Sequence, residues 1–245
     1  MVTSSTKRLL LSLALTGLVA GCVVTPQDEH DVGFGTDGQR ESRYAEQRQA
    51  TGADLSDAEH VPPVPHDPAL RGMAQVAAPE YARAIQMMLN NELDKALILF
   101  KSIATRYPEF SGPVLNQAFI LHRQDKPEEA LLAAQQALTI NDKNPYAHNF
   151  MGLLQREQGQ FQEARKHLQT ALTLDPKYAR AHFNLAVLSE LYLLDNRSAL
   201  EHFRSYQNLQ RQEDRTVANW IIDLERRVSV ETPAPTADDA EGGSE

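Results

Sequence analysis

The feature of this sequence that most constrains its fold is a small residue that returns every 34 positions. It occupies four places: Ala84, Ala118, Gly152 and Ala186. A small side chain is needed where two helix axes nearly touch, and larger residues fill the space beside it. A fixed period of this length is typical of a fold in which one supersecondary unit repeats and stacks on its neighbours. The sequence therefore predicts an all-α solenoid.

The clearest unit begins at Pro145. Within it Gly152 and Ala164 stand where two helices cross, and Leu168 fills the space beside them. Pro176 ends the second helix, because proline lacks an N–H and clashes with the preceding turn. This order of residues resembles the tetratricopeptide repeat (TPR), a helix–turn–helix unit of about 34 residues. The resemblance implies a curved stack of helix pairs whose concave face, lined by the first helix of each pair, binds a partner peptide.

Four such units follow one another in the chain. Their boundaries lie near residues 77–110, 111–144, 145–178 and 179–212. We expect two helices in each: 79–90 and 93–105, 111–124 and 127–139, 145–158 and 161–173, and 179–192 and 196–209. Pro79 should begin a helix, where a missing N–H costs nothing, and Asn91, Asp125 and Gly159 fall in the turns within the units. After Tyr192 the fourth unit is one residue too long, which predicts a longer turn there.

A capping helix is predicted over residues 213–228. Trp220 and Leu224 would pack on the last unit and close the open end of the stack. The TPR domain then spans residues 79–228. We expect the remaining stretch, 229–245, to be a disordered tail, because it contains five acidic residues, no basic residue and no large apolar cluster.

The charge of the chain is concentrated outside the repeats. The formal net charge is −9, with ten acidic and four basic residues between 23 and 78 and eighteen of each between 79 and 228. A neutral repeat domain argues against nucleic acid as the partner, because contacts to phosphates need a face rich in lysine and arginine.

The amino terminus has the pattern of a secretory signal. Lys7 and Arg8 precede an apolar run over residues 9–20, and small residues follow. As a helix these twelve residues would span about 18 Å, against roughly 30 Å for the hydrocarbon core of a membrane. We therefore expect residues 1–21 to be a cleaved signal peptide.

The end of this signal carries the only cysteine. The stretch Leu18–Cys22, LVAGC, resembles the lipobox of bacterial lipoproteins, which implies that Cys22 is acylated after cleavage. Several acyl chains anchor a protein stably where a single chain does not. Val23 follows the cysteine where an aspartate would signal retention in the inner membrane of enteric bacteria. The resemblance thus implies a protein anchored in the outer membrane and facing the periplasm; an ordinary secretory signal is the alternative.

Residues 22–78 are expected to form a disordered tether. They show no sustained apolar period, and the proline-rich stretch 61–65 favours an extended conformation. The stretch 33–38 matches the pattern G-x-G-x-x-G, but that dinucleotide-binding fingerprint needs a buried strand before it and a helix after it. Neither is predicted here, so we expect no nucleotide site.

The candidate binding residues lie at positions 2, 5, 9 and 12 of the repeats, which the resemblance places on the concave groove. They are Tyr81, Ile85, Met88, Leu115, Phe119, His122, Tyr146, Asn149, Leu153, Arg156, Arg180, Phe183 and Val187, with Glu190 at position 12 of the fourth repeat. The Lys and Asn pattern with which some family members clamp a terminal carboxylate is absent. The groove is expected to take an amphipathic helix or an extended apolar segment. Alternatively, some of these side chains pack against the neighbouring repeat or the tether.

No enzyme motif accompanies the repeats. The chain lacks H-E-x-x-H, the P-loop and G-x-S-x-G. His148 and His182 share one repeat position, which would allow them to lie near each other on adjacent helices, but two imidazoles without a third ligand make a poor zinc site. His122, His167 and His202 are expected on other faces. We predict no catalytic residues, no metal and no cofactor.

The sequence therefore indicates a lipid-anchored, non-enzymatic adaptor that binds another envelope protein or peptide, with no nucleic acid and no small-molecule substrate. The architecture is similar to TPR lipoproteins that help type IV pilus secretins assemble and to those that recruit cell-wall hydrolases. Two alternatives stay open: a subunit or regulator of an envelope enzyme or transport complex, and a TPR protein that associates with its own copies.

Overall fold

A computed structural model describes residues 68–231 of the chain. This part folds into helices α1 to α9, with no strand among the described residues. Their bounds are α1 Pro68–Leu89, α2 Leu93–Arg106, α3 Ser111–Arg123, α4 Pro127–Ile140, α5 Pro145–Glu157, α6 Phe161–Leu174, α7 Ala179–Leu191, α8 Asn196–Leu209 and α9 Arg215–Glu231. The signal peptide, Cys22 and most of the expected tether and tail lie outside the described residues.

The helices pair as hairpins and the hairpins stack. The closest packing joins α3 to α4, α5 to α6 and α7 to α8, and each second helix also packs against the first helix of the next pair. Short connections between neighbouring helices make each pair antiparallel. The all-α solenoid of four helix–turn–helix units is therefore confirmed within residues 68–231.

The turns within the pairs repeat the same backbone conformation. Asn91, Asp125 and Gly159 have φ values of 62°, 58° and 76°, the left-handed conformation that commonly ends a helix. In the fourth hairpin this residue is Leu194, with φ 55°. The first three lie 34 residues apart and the fourth lies 35 residues further on, which confirms the extra residue expected after Tyr192.

The small residues stand where the paired helices cross. Ala84, Ala118 and Ala186 are fully buried. A Cβ atom built on Gly152 would lie 2.6 Å from Leu168 Cγ and 3.1 Å from the carbonyl oxygen of Ala164. The first and second helices of the third pair thus approach more closely than a methyl group allows.

The first helix is longer than predicted. It begins at Pro68, and Pro79, which we expected at the start, lies inside it. The residues before Pro79 include alanine, leucine, methionine and glutamine, which have high helix propensity. The helix continues past Pro79, although the missing N–H leaves one intrahelical hydrogen bond unformed. Residues 68–78 therefore belong to α1 and not to the tether.

The last helix closes one end of the stack, as predicted, although it begins and ends a few residues later than expected. Val217, Trp220 and Leu224 of α9 are buried against the fourth hairpin. The Trp220 ring lies 5.4 Å from that of Phe203 and 6.1 Å from that of Phe183, measured between centroids. None of the helices described is both long and apolar enough to cross a membrane.

Candidate partner-binding face

The candidate binding residues all lie on the first helices of the pairs, α1, α3, α5 and α7. Three of them, Tyr81, His122 and Arg180, are half-buried. The other ten are buried: Ile85, Met88, Leu115, Phe119, Tyr146, Asn149, Leu153, Arg156, Phe183 and Val187. Their role in binding stays a prediction, and the surface that they leave accessible is small.

Much of this burial comes from the neighbouring repeat. The ring of Phe119 in the second repeat lies 4.4 Å from that of Phe150 in the third. Tyr146 of α5 lies 4.9 Å from Tyr178, the last residue of the third repeat, which immediately precedes α7. Aromatic pairs at such distances contribute about 0.5–1.5 kcal/mol beyond the area that they bury. These side chains therefore hold adjacent repeats together, which was the alternative left open by the sequence.

A series of amide hydrogen bonds also links the repeats. Asn116 Nδ2 donates to Tyr81 Oη at 2.5 Å, Asn149 Nδ2 donates to Tyr178 Oη at 3.2 Å, and Asn184 Nδ2 donates to Asn149 Oδ1 at 2.9 Å. Burial raises the pKa of Tyr81 to about 12, with the bond from Asn116 opposing the rise. The phenol therefore stays neutral at physiological pH. Asn116 and Asn184, at repeat position 6, were not among the predicted residues, although their shared position could have revealed them.

Charged groups line the same face toward the carboxyl ends of α5 and α7. Arg156 is only 7% exposed, and its guanidinium carbon lies 6.0 Å from the centroid of the Tyr192 ring. Burial lowers the pKa of Arg156, and the Tyr192 and Glu157 side chains oppose that shift. The guanidinium nevertheless remains a cation, because arginine side chains are not deprotonated in proteins. Arg180 contributes a second positive charge, at the amino end of α7.

The carboxylate of Glu190 joins α7 to the capping helix. It is buried and accepts a hydrogen bond from Arg227 Nη2 of α9 at 2.5 Å. Arg227 also donates to Asn196 Oδ1 at 3.2 Å. Glu190 therefore contributes to the docking of α9 at the end of the stack.

The histidines form two equivalent pairs that differ from the expected arrangement. His148 does not pair with His182: its Nδ1 lies 2.9 Å from His167 Nδ1, and His182 Nδ1 lies 3.0 Å from His202 Nδ1. His167 and His202 are 35 residues apart, so the one-residue insertion concealed their equivalence.

The tautomers of each pair follow from the second ring nitrogen. His148 Nε2 lies 2.8 Å from the carbonyl oxygen of Asp142 and must donate to it. His148 Nδ1 is then the acceptor, and His167 Nδ1 donates. A hydrogen bond therefore satisfies the two facing nitrogens. Among the described residues no three metal-ligating side chains come together.

Comparisons with known proteins agree with this architecture. A protein-family model described as "TPR repeat" matches residues 152–190. No curated protein matches the chain by sequence. Among solved structures, the chain is similar to one titled "Functional Characterization of Pseudomonas Aeruginosa pilF", with 22% identity, a TM-score of 0.57, and coverage of 71% of this chain and 79% of that one.

Two further solved structures are similar to this chain. One is titled "Crystal structure of APC/C hetero-tetramer Cut9-Hcn1", with 17% identity, a TM-score of 0.54, and coverage of 78% of this chain and 35% of that one. The other is "Crystal structure of YrrB: a TPR protein with an unusual peptide-binding site", with 19% identity, a TM-score of 0.47, and coverage of 76% and 88%. For the two structures with TM-scores above 0.5, at 22% and 17% identity, the likeness is one of fold alone.

Proposed function

We propose that this chain is a non-enzymatic scaffold that binds another cell-envelope protein or peptide through the first-helix face of its repeats. The observation that carries the proposal is the stack of four helix hairpins, an architecture that presents one extended face built from α1, α3, α5 and α7. Solenoids of this kind typically use that face to bind other polypeptides.

The chemistry of the face indicates the kind of segment that it would bind. Leu153 and Phe119 leave a small apolar surface accessible, and Arg156 and Arg180 contribute positive charge. An amphipathic helix or an extended apolar segment with an acidic residue matches this combination. The half-buried His122 and Arg180 would make the first contacts.

The site of action in this proposal is the periplasmic face of the outer membrane. It is supported by the stretch LVAGC, which ends at Cys22, and by Val23 after it. The scaffold would act in the assembly of an envelope machine such as a type IV pilus or secretion system, or in the recruitment of cell-wall enzymes. The experiment below separates this proposal from two alternatives. One is a regulator of an envelope enzyme or transport complex, and the other is a self-associating protein.

The experiment uses photocrosslinking in intact cells. It compares a photoreactive residue at position 122, on the proposed face, with one at position 166, on the outer surface of α6. We expect position 122, and not position 166, to capture a specific envelope protein. A C22S variant should leave the membrane fraction and lose acyl labelling. Capture of the same proteins from both positions would reject the binding face, and capture of this chain alone would instead support self-association.

A further inference from the structure

The two histidine pairs are built alike, and each joins the two helices of one hairpin. His148 on α5 faces His167 on α6, with the Nδ1 atoms 2.9 Å apart. In the next hairpin His182 on α7 faces His202 on α8, with the Nδ1 atoms 3.0 Å apart. All four rings are half-buried and so remain partly accessible to water. Imidazole nitrogens are common ligands of transition metals, and here they converge in two successive repeats.

One ring of each pair is already oriented as a metal ligand. Histidine ligands in proteins usually donate their other ring N–H to a carbonyl or carboxylate oxygen, which fixes the tautomer of the ring. His148 Nε2 donates to the carbonyl oxygen of Asp142 at 2.8 Å, and His182 Nε2 donates to that of Pro176 at 3.1 Å. The Nδ1 atoms of these two rings therefore present lone pairs to the facing rings.

The second ring of each pair can change its tautomer. Without a metal, His167 Nδ1 and His202 Nδ1 donate the hydrogen bonds that join the pairs. Their Nε2 atoms have no hydrogen-bond partner within residues 68–231, so the proton can move to Nε2 and bond to water. Both facing Nδ1 atoms then carry lone pairs, and the rings stay neutral.

We propose that each pair binds a divalent transition-metal ion through its two Nδ1 atoms, with water in the remaining positions. Metal–nitrogen bonds to histidine are about 2.0–2.1 Å long, so nitrogens 2.9–3.0 Å apart subtend an angle of about 90° at the ion. This is the angle between neighbouring ligands in a square-planar or octahedral shell. Tetrahedral Zn²⁺ would need a separation of about 3.3 Å. The spacing therefore favours Cu²⁺ and Ni²⁺, of which Cu²⁺ binds such ligands more tightly.

Binding requires each ring to turn, because the facing lone pairs point at each other in the hydrogen-bonded pair. The half-buried position of the rings leaves room for this rotation. Within residues 68–231 no third metal-ligating side chain joins either pair, so the ion is held less tightly than in a closed site of four ligands. The sequence argued against a metal on the basis of His148 and His182, which belong to different pairs.

The two sites should differ in affinity. Burial, and after it the charge of His182, lowers the pKa of His202, while the carboxylates of Glu201 and Asp195 oppose that shift. Within the described residues no carboxylate has a comparable effect on His167. The negative charge that favours a protonated imidazole also attracts a metal cation. The pair in the fourth repeat should therefore fill first.

The test is a titration of the purified full-length chain with Cu²⁺, followed by electron paramagnetic resonance. We expect two Cu²⁺ ions per chain to depend on the pairs, each with two nitrogen ligands seen as hyperfine splitting. H202Q should remove the tighter site, H167Q the weaker one, and the double variant both. H122Q changes a histidine that contacts Glu157 and should remove neither. Residues outside 68–231 are the same in all these proteins, so the differences between them report on the pairs.

A second measurement locates the effect in the stack. An ion that binds the folded chain alone stabilises it, so saturating Cu²⁺ should raise the melting temperature by about 5 °C or more. Because each ion joins two helices of one hairpin, amide exchange should slow in α5 to α8 more than in α2 to α4. Mg²⁺ prefers oxygen ligands and should have neither effect.

Three results would overturn the proposal. They are equal Cu²⁺ uptake by the native chain and the double variant, equal slowing of exchange throughout the stack, and no Cu²⁺ with two nitrogen ligands in the native chain. The last needs no variant, so it decides the question even if the substitutions disturb folding. The proposed binding function takes no part in these measurements, and the failure of one proposal leaves the other standing.

Discussion

At the residue scale, Gly152 is the position where the closeness of two helices can be measured. Alanine has a higher helix propensity than glycine by about 1 kcal/mol. Its Cβ atom would, however, lie 2.6 Å from Leu168 Cγ, and overpacking of this kind costs about 1–3 kcal/mol. Because Cγ is held near the backbone, the contact cannot be relieved by moving the tip of the side chain. We expect G152A to lower the free energy of unfolding by about 1 kcal/mol in urea denaturation.

The second repeat suggests the control for this prediction. There the corresponding residues are Ala118 and Ala134, both fully buried. In an L168A background, G152A should therefore cost less stability, since the two Leu168 atoms nearest to the new Cβ atom are gone and the Ala164 carbonyl oxygen at 3.1 Å is the one close contact left. An equal loss of stability in both backgrounds would show that the contact with Leu168 is not the cause.

The two histidine pairs make stability depend on pH. Burial, and after it the charge of His148, lowers the pKa of His167; burial and His182 lower that of His202, with Glu201 and Asp195 opposing. The unfolded chain then takes up protons first as the pH falls below the ordinary histidine value of 6.5. This contribution to stability is therefore present above about pH 6.5 and is lost progressively below it.

We expect the melting temperature to fall between about pH 7.5 and pH 5.5, and a variant with both H167Q and H202Q to show a much smaller fall. Glutamine can still hydrogen-bond to the facing ring but does not titrate. Circular dichroism at several pH values would measure the slopes. Equal slopes in the two proteins would contradict the assignment to these pairs.

At the scale of the helices, α9 is held by Trp220, which is 5% exposed, between Phe183 and Phe203. Truncating a buried aromatic side chain of this size costs about 3–5 kcal/mol. We expect W220A to lower the free energy of unfolding by that amount. Ile222 lies on the same helix and is 57% exposed, so I222A should change the stability by less than about 0.5 kcal/mol. Similar losses for both variants would show that α9 is not docked through its tryptophan face.

The helix boundaries also show which features could be predicted from the sequence and which could not. The turns could be placed because asparagine, aspartate and glycine tolerate a positive φ, and even the inserted residue at Leu194 was visible from the period. The start of α1 could not be placed, because proline favours a helix start locally but is tolerated inside a helix when neighbouring residues favour continuation.

At the scale of the whole molecule, the 34-residue period was sufficient to predict the stack but not the exposure of its faces. The positions assigned to the groove lie on the first helices of the pairs, yet Asn149 and Leu153 are buried. Periodicity reports which side chains share a side of a helix. What covers that side depends on contacts between distant parts of the chain, which a local pattern does not encode.

The stack should open from its amino-terminal end. In repeat proteins each unit is stabilised mainly by its neighbours, so a terminal helix with few buried side chains opens first. In α1, Ala77 is the one buried side chain between residues 70 and 78, and Pro79 lacks the N–H that would bond to the preceding turn. We expect amides of residues 68–78 to exchange with solvent at least a hundred-fold faster than those of α5, as measured by hydrogen exchange and mass spectrometry.

The opposite end supplies the control for this prediction. α9 is also a terminal helix, but it buries Val217, Trp220 and Leu224. Its amides between Val217 and Leu224 should therefore exchange much more slowly than those of residues 68–78. W220A should raise the amide exchange rate of α9 toward that of residues 68–78 and leave the exchange rates of α3 and α4 unchanged. Equal protection at both ends of the native chain would mean that the part of α1 before Pro79 is held by contacts outside residues 68–231.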